Sequence, residues 1–136
     1  MKVVFDTNVL VSALVLPGGR GDEALLSVVR GENHLVVSRG ILDELLGVLA
    51  RKFARDAEEL ARVAVFLADV AELVEPPERP GPLADAADNH VLACAVTAGA
   101  AAVVTGDRAM LALGRHEGVL ILSLAAFLEL GAPDHR

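Results

Sequence analysis

The chain has 136 residues, which suits one domain that buries roughly two thirds of the surface its unfolded form would expose. Hydrophobic residues make up 54 % of it and aromatic residues 3 %, so aliphatic side chains must fill the core. The formal net charge of -7 excludes attraction of a polyphosphate by the field of the whole molecule, so a nucleic-acid partner would need a local basic strip or bound cations.

Short β-branched runs alternate with longer amphipathic segments along the chain. The first half predicts a strand at KVVF, helices at NVLVSALVL and DEALLSVVRG, a strand at HLVVS, and helices at GILDELLGVLARKF and DAEELARVAVFLADVA. The second half predicts a surface loop at ELVEPPERPGPLAD, a helix at ADNHVLACAVTAGA, a strand at AAVVT, a short helix at RAMLALG, a strand at GVLIL and a last helix at SLAAFLEL, capped by Ser123. We therefore predict an α/β fold for residues 1–136: one domain, a three-layer α/β/α sandwich around a mainly parallel sheet of about five strands.

Export and membrane insertion are both disfavoured. Asp6 falls inside what would be the apolar core of a signal peptide, and the apolar stretch from Val91 to Val104 is shorter than the about 20 residues that a membrane span needs. The single cysteine, Cys94, excludes an internal disulfide and a cysteine-rich zinc site. We expect a cytoplasmic protein without a membrane partner.

Three acids have positions that bring them to one edge of the predicted sheet. Asp6 directly follows the first strand, Asp107 follows the strand in AAVVT, and Asp88 lies at the start of the helix that leads into that strand. In parallel sheets, ligands bind outside the edge at which the strands end, here called the carboxyl edge. The three carboxylates are therefore expected to share a crevice.

A fourth acid comes from the helix after HLVVS, where Asp43 and Glu44 are adjacent. At about 100° per residue, the two fall roughly 130° to either side of the apolar centre of this helix. Periodicity therefore cannot choose between them, and the longer stem of Glu44 is only a weak reason to prefer it.

A cluster of carboxylates opposes folding because like charges raise one another's pKa. Mg²⁺ or Mn²⁺ removes this repulsion, since both prefer oxygen ligands, and either can activate a water toward a phosphodiester. Four polar neighbours of the acids could hold a coordinating water or a phosphate oxygen: Thr7, Asn8, Asn89 and Thr105.

The acids also have purely structural interpretations. Asp6 and Asp107 stand between a strand and a helix, where aspartate is a preferred N-cap. Asp85 and Asp88 have the spacing of a cap and an acid in the first helical turn, and Asp43 suits a solvated helix face. The residues alone leave both interpretations open.

The remaining ionisable residues carry weaker signals. The histidines show no spacing typical of metal ligands, and we interpret them as solvated: His34, His90, His116 and His135. A basic cluster follows the Glu44 helix and is either solvated surface or a strip that contacts RNA phosphates: Arg51, Lys52 and Arg55.

Four segments in order, VVFDTNVLVSAL, LVVSRGILDELLGVLARKF, DAADNHVLACAVTAGAAAVVTGD and FLEL, resemble the PIN-domain family, in particular its VapC-like branch of toxin–antitoxin nucleases. The resemblance implies a compact α/β/α fold, Mg²⁺- or Mn²⁺-dependent endoribonuclease activity, frequent homodimers and a cognate antitoxin that blocks the site. It places the family's catalytic and metal-binding acids on four residues, and so selects Glu44 over Asp43: Asp6, Glu44, Asp88 and Asp107. Thr7 and Asn8 complete the first motif.

The chain departs from the branch in two places. The branch usually reads GD-x-D at its fourth motif, whereas Ala109 replaces the second acid here. It also often reads DPDDN, whereas this chain has one acid fewer beside Asp88. Both departures weaken the case for a second metal ion.

Two other functions fit parts of the pattern. A phosphohydrolase of the haloacid-dehalogenase kind also has an aspartate after its first strand, but its D-x-D motif would need an acid where this chain has Asn8. A PIN-like module with degenerate chemistry, which binds RNA or protein without cutting, would be consistent with Ala109 and the acidic net charge.

Overall fold

A six-stranded sheet forms the centre of the protein in a computed structural model that describes residues 1–131. Its strands are Lys2–Phe5 (β1), His34–Ser38 (β2), Ala71–Val74 (β3), Ala102–Val104 (β4), Arg115–His116 (β5) and Val119–Leu122 (β6). They are ordered β3-β2-β1-β4-β6-β5 and are parallel except for the antiparallel pair β5–β6. The mainly parallel sheet of the prediction is therefore confirmed.

Seven helices cover the sheet within the described residues: Thr7–Val15 (α1), Arg20–Val29 (α2), Arg39–Phe53 (α3), Ala57–Val70 (α4), Ala86–Ala98 (α5), Arg108–Leu113 (α6) and Leu124–Leu130 (α7). A first layer is formed by α1 to α4 and α7, which contact one another, while α5 packs across β1 to β4. Helix α6 packs against β6. No helix within residues 1–131 is long and apolar enough to cross a membrane.

The core follows from strands that are apolar on both faces. Val3, Val4 and Phe5 of β1 are fully buried, and the Phe5 ring meets Phe127 of α7 edge-on, with 5.6 Å between the ring centroids. Full burial of such side chains stabilises the fold by about 1.5–3 kcal/mol each. Burial also raises the pKa of the Cys94 thiol to about 12, so this cysteine is chemically inert.

The sheet has six strands, two more than the four strand segments that the sequence predicts and one more than the predicted total of about five. The sequence predicts Ala71 as the end of a helix and residues 72–74 as the start of a loop, but 71–74 form β3, an edge strand that pairs only with β2 and has two exposed side chains. The short β5 was missed because it is a hairpin arm turned by Glu117 and Gly118, both with positive φ. The loop prediction holds for residues 75–85, and His135, predicted to be solvated, lies outside the described residues.

The strand order places a candidate ligand crevice at one position of the carboxyl edge. From β1 the chain proceeds to β2 and β3 on one side, whereas β4 and β6 lie on the other side. The order therefore reverses between β1 and β4, the place where open α/β sheets form ligand crevices.

Candidate active site

Asp6 and Asp107 meet at this reversal point through the hydroxyl of Thr105. The Asp6 main-chain nitrogen donates to the Val104 carbonyl at 2.9 Å, which continues the β1–β4 pairing beyond the strand. Thr105 Oγ1 donates to Asp6 Oδ2 at 2.8 Å and accepts from the Asp107 main-chain nitrogen at 3.0 Å. Both Asp6 and Thr105 are buried. One hydroxyl thus links two strand-end aspartates.

The Asp6 carboxylate is not a helix cap. The residue occupies the N-cap position of α1, yet its side chain makes no capping hydrogen bond. Burial raises its pKa above the ordinary value, and the charge of Asp107 adds to this, while the Thr105 hydroxyl and the amides of Thr7 and Asn8 oppose it. Thr7 is buried, and Asn8 is exposed.

Two other aspartates do act as caps. Asp107 Oδ2 accepts from the Met110 main-chain nitrogen at 2.9 Å and so caps α6. Asp85 Oδ1 accepts from the amides of Ala87 and Asp88 at 2.8 and 3.2 Å, which confirms its predicted capping of α5. Capping and a role in the site are therefore compatible for Asp107, because its cap holds the carboxylate at the end of the Thr105 link.

Asp88 connects these aspartates to α3. Its pKa is raised to about 6, first by burial and then by the negative charges of four neighbours, in decreasing order Asp107, Asp85, Asp6 and Glu44. Asp88 is therefore close enough to the other three predicted acids for their charges to act on it. Both candidates on α3 are exposed, and Glu44 contributes the weakest of the four charges that act on Asp88. The choice of Glu44 over Asp43 stays a prediction.

Every candidate ligand offers oxygen atoms, which hard divalent cations prefer, and such a cation would offset the repulsion among the acids. Within residues 1–131, however, no three His, Cys, Asp or Glu side chains stand close enough to ligate one ion together. A cation at this edge could therefore contact at most two of these carboxylates directly and would have to reach the others through water, a manner of binding common for Mg²⁺.

His90 is bonded rather than solvated, which corrects the prediction for this histidine. Its Nε2 lies 2.6 Å from Oγ of Ser38, a fully buried residue at the end of β2. A side chain on Gly40 would leave only 2.9 Å between its Cβ and the same Nε2. The contact joins α5 to the start of α3, 52 positions away, and no local sequence signal announces it.

Asn89 also has a different environment from the one predicted. Its Oδ1 accepts from the Leu83 main-chain nitrogen at 3.0 Å, and its Nδ2 donates to the Leu83 carbonyl at 2.8 Å. A Cβ on Gly81 would stand 2.3 Å from Oδ1, so only glycine fits beneath this contact. Asn89 thus clamps the 75–85 loop onto α5, and its amide is engaged there rather than with the acids.

The predicted basic cluster lies at the other end of α3. Arg51 and Lys52 are exposed in the last turn, and Arg55 pairs with Glu59 at 3.0 Å. The helix begins at the carboxyl edge with Arg39, and at a rise of about 1.5 Å per residue Arg51 is about 18 Å further along its axis. The phosphate-contacting role of this cluster stays a prediction.

Comparison with known proteins gives a family and a fold. A family model described as a PIN domain matches residues 2–109. The fold is similar to that of VapBC2 from Rickettsia felis, solved bound to a DNA fragment from its promoter, with a TM-score of 0.65, 17% identity, and coverage of 90% of this chain and 98% of that one. It is also similar to FitAcB from Neisseria gonorrhoeae, with a TM-score of 0.56, 19% identity and the same coverage, 90% and 98%. No curated protein matches the sequence.

Proposed function

Because the chain belongs to the PIN domain family, we propose that it is a Mg²⁺- or Mn²⁺-dependent endoribonuclease, the toxin of a toxin–antitoxin pair. The observation that carries the proposal is the Thr105 hydroxyl that links Asp6 and Asp107 at one edge of the sheet, with Asp88 close enough for their charges to raise its pKa. Such a group of carboxylates is unfavourable for folding and favourable for cation binding.

In this proposal Asp6 and Asp107 would hold the cation directly, and Asp88 and Glu44 would reach it through water. A bound cation lowers the pKa of a water and offsets charge on the phosphodiester. Thr105 fixes the orientation of Asp6 by its 2.8 Å hydrogen bond, and the exposed Asn8 amide can reach a phosphate oxygen. Hydrolysis joins the water oxygen to phosphorus and breaks the bond to the leaving ribose oxygen, which takes up a proton.

The proposed partners rest on the resemblance to the VapC-like branch of the PIN family. We propose a cytoplasmic protein that acts on RNA and is inhibited by a cognate antitoxin, as that resemblance implies. We also propose a homodimer, for which light scattering coupled to size-exclusion chromatography is the direct test.

The test of function uses the chain purified free of any partner and a pool of fluorescent RNAs. We expect cleavage with Mg²⁺ or Mn²⁺ and none with EDTA. Glu44→Gln and Asp107→Asn should each reduce the rate about 100-fold or more, because each removes a candidate ligand. Asp43→Asn is the matched control, since it changes the exposed acid next to Glu44 and should retain activity.

A second function is favoured by Ala109 and by the separation of the acids. A catalytically degenerate module would bind RNA or protein equally well with and without the four acids and would cut nothing in either metal. The same assay distinguishes the two functions. The haloacid-dehalogenase alternative has no support, because the family match and Asn8 both speak against it.

A further inference from the structure

The candidate site creates an electrostatic problem for the substrate of the proposed function. RNA is a polyanion, the chain has a formal net charge of -7, and acids crowd the carboxyl edge. A cation on the carboxylates would attract the phosphate that is cut but not the phosphates on either side of it. Those neighbours need cationic side chains of their own.

Two arginines occupy suitable positions. Arg39 directly follows Ser38, the last residue of β2, and Arg108 directly follows Asp107. Both β2 and β4 are hydrogen-bonded to β1, so the two arginines lie on opposite sides of Asp6. At about 4.8 Å between neighbouring strands, the ends of β2 and β4 are about 10 Å apart.

Neither guanidinium forms a hydrogen bond or an ion pair with another side chain or carbonyl in the described part of the chain. Both residues are exposed, and the lysine and arginine ion pairs among residues 1–131 involve other side chains: Lys2, Arg55, Arg62 and Arg79. Glu75 approaches Arg39, but its Oε1 accepts from the main-chain nitrogen at 3.2 Å. Arg39 and Arg108 can therefore bind an anion without breaking an existing ion pair.

We propose that Arg39 and Arg108 form the phosphate-binding pair of this site, each holding a backbone phosphate on one side of the phosphodiester that is cut. This inference rests on the proposed function. A guanidinium binds phosphate oxygens in a bidentate manner and stays charged at all working pH values. The pair takes the role that the sequence alone gave to Arg51, Lys52 and Arg55.

The experiment measures the salt dependence of RNA binding. A fluorescent single-stranded RNA is titrated with the full chain in Ca²⁺ buffer at several KCl concentrations. Each phosphate contact to a single strand contributes about 0.7 to the slope of log affinity against log salt, so Arg39→Gln and Arg108→Gln should each lower the slope by about 0.7, and together by about 1.4. In Mn²⁺, both variants should raise KM more than they lower kcat.

Arg30→Gln is the matched control, because Arg30 is also exposed and precedes β2 at the opposite edge of the sheet. Its slope should equal that of the wild type. A wild-type slope in the Arg39 and Arg108 variants would overturn the inference, and so would a lower slope in Arg51→Gln/Lys52→Gln instead. If the wild type cuts RNA but the Arg39 and Arg108 substitutions leave the slope unchanged, only this inference is refuted. If the wild type neither binds nor cuts RNA, the proposed function is refuted as well.

Discussion

Thr105 shows how much of this site depends on a single atom. Its hydroxyl donates to one aspartate and accepts from the backbone of another, and no part of the residue is exposed to solvent. A hydrogen bond to a charged group contributes about 1.5–3 kcal/mol. The strand-end position of Thr105 suggested proximity to the acids, but only the structure gives the direction of the two hydrogen bonds.

At the same scale, Asp88→Asn is expected to stabilise the metal-free protein near neutral pH. The pKa of Asp88 is raised from 3.8 to about 6 in the folded chain, so ionisation lowers stability as pH rises from about 4 to about 6. Asparagine avoids this loss. Because solvent screens a half-buried group, we expect a gain of about 1 kcal/mol rather than the full value of the shift.

Urea unfolding in EDTA at about pH 7.5 and about pH 3 measures this effect, because the advantage of asparagine should disappear once Asp88 is protonated in both the folded and the unfolded chain. An effect of the substitution that is the same at both pH values would mean that Asp88 is free of the repulsion described here.

Residue-level prediction from the sequence succeeded where a role follows from position along the chain. Asp85 and Ser123 cap α5 and α7 as predicted, because a cap bonds only to amides two or three residues ahead. It failed for His90 and Asn89, whose partners are a buried serine 52 positions away and a loop backbone. Such contacts arise from tertiary packing and leave no periodic trace.

Among the elements, α3 and α5 are held together by the Ser38–His90 hydrogen bond near the two acids they carry. We predict that Ser38→Ala and His90→Ala each weaken Mn²⁺ binding several-fold, because the helices then shift relative to each other. In a double-mutant cycle of unfolding, the coupling should be about 1 kcal/mol. His90→Gln should restore most of the metal affinity, since its amide can replace Nε2.

Calorimetric titration with Mn²⁺ separates this role from general stability. His116→Ala is the control, because His116 lies in β5 and its Nε2 contacts the Glu117 carboxylate at 3.0 Å, so it takes no part in the contact between α3 and α5. Equal losses of Mn²⁺ affinity in the His90 and His116 variants would contradict a specific role of the Ser38–His90 contact.

The elements that the sequence missed have a common physical cause. A central strand such as β1 is buried on both faces and reads as an apolar run, whereas β3 pairs on one side only and leaves Glu72 and Leu73 exposed. Its pairing is made by backbone groups, which every residue has. The amino-acid sequence of such an edge strand therefore lacks the apolar pattern that identifies a central strand.

At the scale of the whole molecule, metal binding should raise the melting temperature of the protein. Ligand binding to the folded state alone stabilises by about 2.7 kcal/mol at a concentration of 100 times Kd. We predict that the wild type melts at increasing temperature as Mn²⁺ is added, while Asp6→Asn is more stable than the wild type in EDTA and gains little from the metal. The gain of stability of Asp6→Asn in EDTA is expected because asparagine removes a negative charge that burial disfavours, as the raised pKa of Asp6 indicates.

Differential scanning fluorimetry over a range of MnCl₂ concentrations provides the readout, with Asp43→Asn as a variant that should respond as the wild type does. A full Mn²⁺ response in Asp6→Asn would place the bound ion elsewhere on the protein. Loss of stability of this variant in EDTA would instead assign Asp6 a structural role.

Asp6 and Thr105, which must touch for the site to exist, stand 99 positions apart, and β6 must be in place before Thr105 can bond to Leu122. A chain still on the ribosome therefore cannot join Asp6 to Thr105 until β4 and the residues after it have emerged. If the proposed nuclease activity is correct, the site assembles late in translation, and the chain's own messenger is not exposed to it while most of the protein is being made.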